Sequence, residues 1–321
     1  MPQQTLKIAV AGAGAFGREH LAVLARRDDV TIAGVADVNQ AAREAATSDF
    51  GVEESFADAE TMLDAVRPGG LIVASPGFTH LPIAMAALHR DIPVLVEKPV
   101  GLSAAEADAL IAAEARSRAF VLPGHILRFS TPYREMVEIA RSGEIGTILA
   151  VKGRKHRDDS HAVRYADIDP VLMTMVHDID LTLWITGGTL ESVLTLRRPS
   201  DTVRSETIVT GSDSAGVLWN LTNAWAIPTE CPADRIEIVG DQGSVEMEAW
   251  RTIRVYGRRA RQIDVAPGAI DDMLAVEIGT FLDGVRSGEH PGVVTLTDAR
   301  NGLAAMEAIL ASLATGQVVT A

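Results

Sequence analysis

Over the first third of the chain, short apolar runs alternate with segments of helical period. Ile8–Ala11, Val30–Ala36, Leu71–Ala74, Val94–Val96 and Ala119–Leu122 are runs of the kind that form strands buried on both faces. Between them, Arg18–Arg27, 40–47, 56–66, His80–Arg90 and 103–118 read as helices, the last opened by a Ser103-x-x-Glu106 capping box. No hairpin signal interrupts the alternation, so residues 1–122 are expected to form an α/β domain with a doubly wound parallel sheet. From about residue 187 the period falls to two. Leu190–Arg198, Val203–Gly211, Gly216–Asn223, Arg235–Gly240, Ser244–Ala249 and Ile253–Gly257 alternate apolar and polar residues, with a tight turn at Asp241-Gln242-Gly243. Helices are expected at Pro132–Arg141 and Pro170–Thr186 before these strands, and near Asp271–Arg286 and Thr297–Ala314 after them. Residues 123–321 therefore read as an α+β domain with an open, mostly antiparallel sheet.

The first apolar run ends in Gly12-Ala13-Gly14-Ala15-Phe16-Gly17, a Gly-x-Gly-x-x-Gly motif between strand and helix. Gly12 suits a tight turn, Gly14 admits close approach of a pyrophosphate, and Gly17 lets the helix pack closely on the sheet. The helix N-terminus then offers free N–H groups and partial positive charge to phosphate. Asp37 ends the second run, 25 residues after Gly12, where a carboxylate accepts hydrogen bonds from ribose hydroxyls. Strand, glycines, helix, strand and acid in this order predict a dinucleotide site. Asp37 favours NAD over NADP, because a 2′-phosphate would meet its charge; Arg43 is the nearest basic residue.

Composition narrows the choice of partners. The 321 residues carry a net charge of −14, which argues against nucleic acid and against an anionic membrane surface. No apolar run approaches the length of a membrane span, and the single cysteine, Cys231, rules out an internal disulfide. A cytoplasmic protein without a metal site is the expectation. Lysine is scarce: only Lys7, Lys98, Lys152 and Lys155 occur among 29 basic residues. Each survivor is thereby a candidate for a role needing a compact, titratable ammonium.

Lys98 follows a buried strand and precedes Pro99, at the sheet rim where parallel sheets bind ligands. Ser75-Pro76-Gly77, Glu97-Lys98-Pro99 and Gly124-His125 fall on the same rim. On the helix that Asp169 caps and Pro170 opens, Met173, His177 and Asp180/Leu181 share a face. His177 reads either as a core histidine or as the general base of a dehydrogenase. Asp178 either orients that imidazole or faces solvent. The run Lys152-Gly153-Arg154-Lys155-His156-Arg157 is either a solvated strand end or an attraction for an anionic substrate, with Lys152, Arg154 and His156 on one face. His125 is a candidate contact to substrate or nicotinamide, and Arg128 reads equally as a buried ion-pair partner.

With these residues assembled, the chain resembles the glucose–fructose oxidoreductase / inositol dehydrogenase / rhizopine-catabolism (Gfo/Idh/MocA) family of NAD(P)-dependent oxidoreductases. The resemblance rests on residues 12–17, Ala-Ser-Pro-x-x-x-His (74–80), Glu-Lys-Pro (97–99), Gly-His-x-x-Arg-Phe (124–129), Gly-x-Ile-Gly (143–146) and His-Asp-Ile-Asp (177–180). Two of these segments look most like the subgroup acting on nucleotide-linked amino sugars. The resemblance implies a Rossmann domain that binds NAD through Gly12, Gly14, Ala15, Phe16, Gly17, Asp37, Ser75, Pro76, His80, Glu97 and Lys98. It also implies oxidation of a secondary alcohol of a sugar, sugar acid or cyclitol, with Lys98 on the reacting hydroxyl and His177 as base. The second sheet would form a homodimer or homotetramer interface. One position departs from the pattern: Met173 stands where the family usually has an aspartate. Together with His125, Arg154 and His156 as substrate candidates, Met173 suggests an acid-bearing sugar. It also leaves open an NAD-recycling glycosidase or lyase, or a nucleotide-binding sensor without turnover.

Overall fold

A computed structural model describes residues 5–198, 206–225, 227, 234–249, 251–266 and 273–321. Cys231, the first residues of the expected 203–211 strand and the expected helix start at Asp271 lie outside the described residues. The chain divides into two compact units, residues 1–126 with 273–300, and 127–272 with 301–321.

The first unit begins β1 (Leu6–Ala11), α1 (Ala15–Ala25), β2 (Val30–Ala36), α2 (Gln40–Phe50), β3 (Ser55–Phe56) and α3 (Ala59–Val66). It continues with β4 (Gly70–Val73), α4 (His80–Leu88), β5 (Val94–Glu97), α5 (Ala104–Glu114) and β6 (Val121–Gly124). The strands form one parallel sheet in the order β3-β2-β1-β4-β5-β6. Every residue of β4, β5 and β6 is buried, as helices on both faces require. The expected helix over 56–66 is shorter. Phe56 pairs with Ala36 as a short strand, and Asp58 caps α3 by accepting from the Thr61 N–H. Ser103 caps α5 as expected, while Glu106 reaches back to the Leu102 N–H at 2.7 Å.

The second unit contains α6 (Thr131–Arg141), β7 (Ile148–His156), α7 (Asp159–Arg164), a π-helical turn at Val171–Met175 and α8 (Val176–Thr186). Strands β8 (Leu190–Arg197), β9 (Glu206–Asp213), β10 (Leu218–Ala224), β11 (Asp234–Gly240), β12 (Gly243–Glu248), β13 (Thr252–Gly257) and β14 (Arg261–Asp264) follow. All pairings in this sheet are antiparallel except β7 with β10. The basic run is thus the end of a central strand. The expected continuous helix 170–186 opens into a π turn because side chains compete for its first turn. Thr174 Oγ1 and Asn223 Nδ2 both donate to the Pro170 carbonyl, at 3.0 and 2.9 Å. Asp169 does cap the segment, accepting from the Val171 N–H at 2.9 Å.

Helix α9 (Met273–Ser287) returns to the first unit, and α10 (Leu296–Thr315) and β15 (Val319–Thr320) end the chain. Phe281 packs edge-on against Phe120, Arg286 pairs with Asp29 at 2.5 Å, and His290 lies 3.2 Å from the Val121 carbonyl. The expected division at 122/123 therefore needs correction: residues 273–300 bury their apolar face on the first sheet rather than the second.

Candidate active site

The glycine turn after β1 is shaped as its motif demands. Gly12 has φ +104°, and a Cβ there would lie 2.5 Å from the Ala74 carbonyl oxygen; a Cβ on Gly17 would lie 2.0 Å from the Gly12 oxygen. A Cβ on Gly14 would meet no protein atom within 4 Å. The outer side of Gly14 is therefore open, and with Ala15 and Phe16 exposed at the start of α1 the turn fits a pyrophosphate. Asp37, at the end of β2, accepts from the Ala13 N–H through Oδ2 and from the Asn39 N–H through Oδ1, both at 2.8 Å. These bonds hold its carboxylate against the glycine turn. Arg43 donates to the Asp37 backbone carbonyl at 2.6 Å.

At the ends of β4 and β5, Ser75 Oγ and Thr79 Oγ1 are 2.6 Å apart, and Thr79 donates to the Pro76 carbonyl. His80 is buried, each ring nitrogen 2.7 Å from a carbonyl, of Pro99 and of Ser75. It braces the two loops against each other. Glu97 is 6% exposed; its Oε1 lies 2.9 Å from His20 Nε2, and its Oε2 accepts from the Lys98 N–H at 3.2 Å. Burial pushes the Lys98 ammonium below its ordinary value, and the Glu97 charge partly opposes this. Sequence reasoning missed His20. Its signal is a polar residue on the buried stripe of α1, beside Gly17, Leu21 and Leu24. His125 follows β6 and is buried, its N–H donating to the Pro123 carbonyl.

In the second unit, Met173 lies in the π turn and His177 at the second position of α8; both are half-buried. Asp178 neither faces solvent nor turns toward its neighbour. It is 2% exposed and pairs through Oδ1 with Lys155 Nζ at 3.2 Å, which pins α8 to β7. Lys155 also lies 3.5 Å from Asp234, and Arg157 lies 2.5 Å from it. Burial works against the Lys155 charge, but Asp178 and Asp234 win and hold its ammonium above the ordinary value. Burial, aided by Asp234, pushes Asp178 up to about 6 despite Lys155. Arg128 and Asp180 form a buried bidentate pair at 2.7–3.1 Å, one of the roles anticipated for Arg128.

The basic run divides by strand alternation. Lys155 faces α8, so Lys152, Arg154 and His156 project from the opposite, open face of the sheet. There Lys152 pairs with Glu237 at 3.2 Å and Arg154 with Glu248 at 3.1 Å. Of the two readings of the run, the pairing of these cations with acids of neighbouring strands accords with the solvated strand end. His156 shares that face, and burial followed by the Arg154 charge pushes its pKa down.

A parallel sheet whose rim carries this glycine cradle, Asp37 held against it and a half-buried Lys98 defines a dinucleotide-binding Rossmann protein. The family described as "Oxidoreductase family, NAD-binding Rossmann fold" matches residues 6–125, and the GFO/IDH/MocA C-terminal domain matches residues 133–246. The chain belongs to the Gfo/Idh/MocA family, and NAD is the family's cofactor. An inositol 2-dehydrogenase of Arthrobacter sp. is 31% identical over 59% of this chain, and the match spans 57% of that protein's length. A scyllo-inositol dehydrogenase from Lactobacillus casei, solved with NAD(H) and scyllo-inositol, superposes with TM-score 0.86 at 20% identity over 99% of both chains. A UDP-N-acetylglucosamine 3-dehydrogenase from Acidithiobacillus ferrooxidans gives TM-score 0.84 at 25% identity, covering 98% of this chain and 99% of that one. Among the described residues no helix is long and apolar enough to cross a membrane.

Proposed function

We propose that this chain is an NAD-dependent dehydrogenase that oxidises a secondary alcohol of a cyclitol or related sugar, or reduces the matching ketone. The observation that carries the reading is the placement of Lys98. It follows a buried strand on the rim of the glycine cradle, its ammonium destabilised by burial and steadied by Glu97. When bound, NAD supplies the hydride acceptor. Gly12, Gly14, Ala15, Phe16 and Gly17 would hold its pyrophosphate and Asp37 its ribose, with Ser75, Pro76 and Glu97 as further residues that would contact it. His80 contributes by bracing the loops that carry Ser75 and Pro99. Lys98 donates a hydrogen bond to the reacting oxygen and stabilises the negative charge that develops on it. His177 takes the hydroxyl proton as general base, leaving a ketone.

Met173 supplies no carboxylate to a substrate hydroxyl, which favours a substrate with an apolar or acidic group at that point. Arg154 is matched by Glu248, so Met173 is what remains of the support for a sugar acid. The relatives named inositol dehydrogenases favour a neutral cyclitol. His125 and His156 remain candidate substrate contacts. The open face of the second sheet exposes Leu196, Ile208 and Leu218 among its charged pairs, which suits a homodimer or homotetramer; light scattering of the purified protein tests this. The function itself is tested by NADH formation with inositols, neutral sugars and sugar acids. Substitution Lys98→Met abolishes turnover if the reading holds. Turnover surviving at a tenth or more of the wild-type rate overturns the role of Lys98.

A further inference from the structure

His20 is wholly buried on α1, the helix that opens at the glycine turn, in a stripe otherwise made of Gly17, Leu21 and Leu24. A polar ring in such a place is costly unless it makes a hydrogen bond. It has one: Nε2 lies 2.9 Å from Glu97 Oε1 at the end of β5. An ionised carboxylate only accepts, so Nε2 carries the proton. Nδ1 is buried without a partner among the described residues, a place where a second N–H would find no acceptor. The other oxygen of Glu97 accepts from the Lys98 backbone N–H at 3.2 Å. One carboxylate therefore ties α1 to the backbone that carries Lys98. Phe16, in the glycine turn, packs edge-on against the His20 ring with centroids 5.3 Å apart.

We propose that His20 is a positioning residue for Lys98: its Nε2–H holds the Glu97 carboxylate, and through it the Lys98 backbone, in a fixed place relative to the glycine turn. A ring protonated at Nε2 alone carries no charge, so it orients Glu97 without cancelling the negative charge that steadies the Lys98 ammonium. The role in turnover rests on the dehydrogenase reading; the fixing of Lys98 does not.

Two substitutions test this, each read with and without turnover. His20→Gln puts an amide N–H where Nε2 stands, and His20→Phe keeps a buried ring beside Phe16 but removes the donor. Misplacing a reacting group by about 1 Å costs up to about 100-fold. The kcat of His20→Phe should therefore fall about 10- to 100-fold, and His20→Gln should regain at least about fivefold of that loss. The Kd for NAD, read by fluorescence titration, should stay within about threefold in both, because the glycine turn is untouched. Labelling with acetic anhydride at about pH 8, followed by peptide mass spectrometry, reads Lys98 without a substrate. Once Glu97 is no longer held, Lys98 should label at least about threefold faster in His20→Phe than in the wild type, relative to Lys152, and His20→Gln should label as the wild type does. Equal loss of kcat in both variants, a wild-type kcat in His20→Phe, or unchanged labelling of Lys98 in His20→Phe overturns the proposal. A crystal structure of the unaltered protein with NAD should keep His20 Nε2 within hydrogen-bond distance of Glu97; a ring turned away overturns the proposal even if neither variant folds. Faster labelling in His20→Phe, with no turnover by the wild type, separates failure of the dehydrogenase reading from failure of this one.

Discussion

The pair that pins α8 to the second sheet makes a prediction opposite to the usual effect of breaking a salt bridge. Asp178 contacts Lys155 through one oxygen; the other is buried without a partner among the described residues. Asp234, by contrast, is gripped by both Lys155 and Arg157. Burial pushes Asp178 up to about 6, against an ordinary value of 3.8. A folded-state pKa above the unfolded one means stability that is fully present below about pH 4 and lost as pH rises through about 6. The gap of about two pKa units is worth about 3 kcal/mol, of which about 2–3 kcal/mol falls between about pH 4 and about pH 7.5. Asp178→Asn cannot ionise. It should match the wild type within about 1 kcal/mol at about pH 4, and exceed it by about 2 kcal/mol at about pH 7.5. Lys155→Met instead strands the buried Asp178 carboxylate, while Asp234 keeps Arg157, and should cost about 3–5 kcal/mol at neutral pH. Urea unfolding followed by tryptophan fluorescence is the assay, since all four tryptophans, at 184, 219, 225 and 250, fall within residues 127–272. If Asp178→Asn is the less stable protein at about pH 7.5, the lone-oxygen argument fails.

Other consequences are simpler. Gly14→Ala should fold with an unchanged melting temperature yet bind NAD about tenfold more weakly or worse, whereas Gly12→Ala, blocked by the Ala74 carbonyl, should lose about 2 kcal/mol or more of stability. Asp37→Ser keeps an acceptor for the Ala13 N–H but sheds the charge, so the ratio of NADP to NAD affinity should rise about tenfold or more. Met173→Asp restores a carboxylate one helical turn before His177 and should shift kcat/KM toward neutral polyols over sugar acids. No shift in that ratio would remove Met173 from the substrate site.

The parallel sheet was legible because its strands are uniformly apolar and punctuated by Gly, Pro and capping residues, signals that act locally. The glycine turn and Asp37 were legible for the same reason, each being dictated by backbone geometry within a few residues. Strand β7 was harder. The run from Lys152 to Arg157 at its end reads as a basic surface, since the acids that neutralise it lie on other elements, Asp178 on α8 and Asp234, Glu237 and Glu248 on β11 and β12 more than 70 positions away. Asp178 was hard for a related reason: a charged residue predicts exposure, and only tertiary contacts show it pinned beneath a strand. The π turn at 171–175 arises from Asn223, which no periodicity within the helix reveals.

Reduction of bound NAD is the most direct test of the proposed dehydrogenase. Purified protein mixed with NAD and either scyllo- or myo-inositol should accumulate NADH, and Lys98→Met, still binding NAD, should not. Tight NAD binding with no NADH from inositols, sugars or sugar acids would contradict the proposal and leave a nucleotide-binding fold without the dehydrogenase.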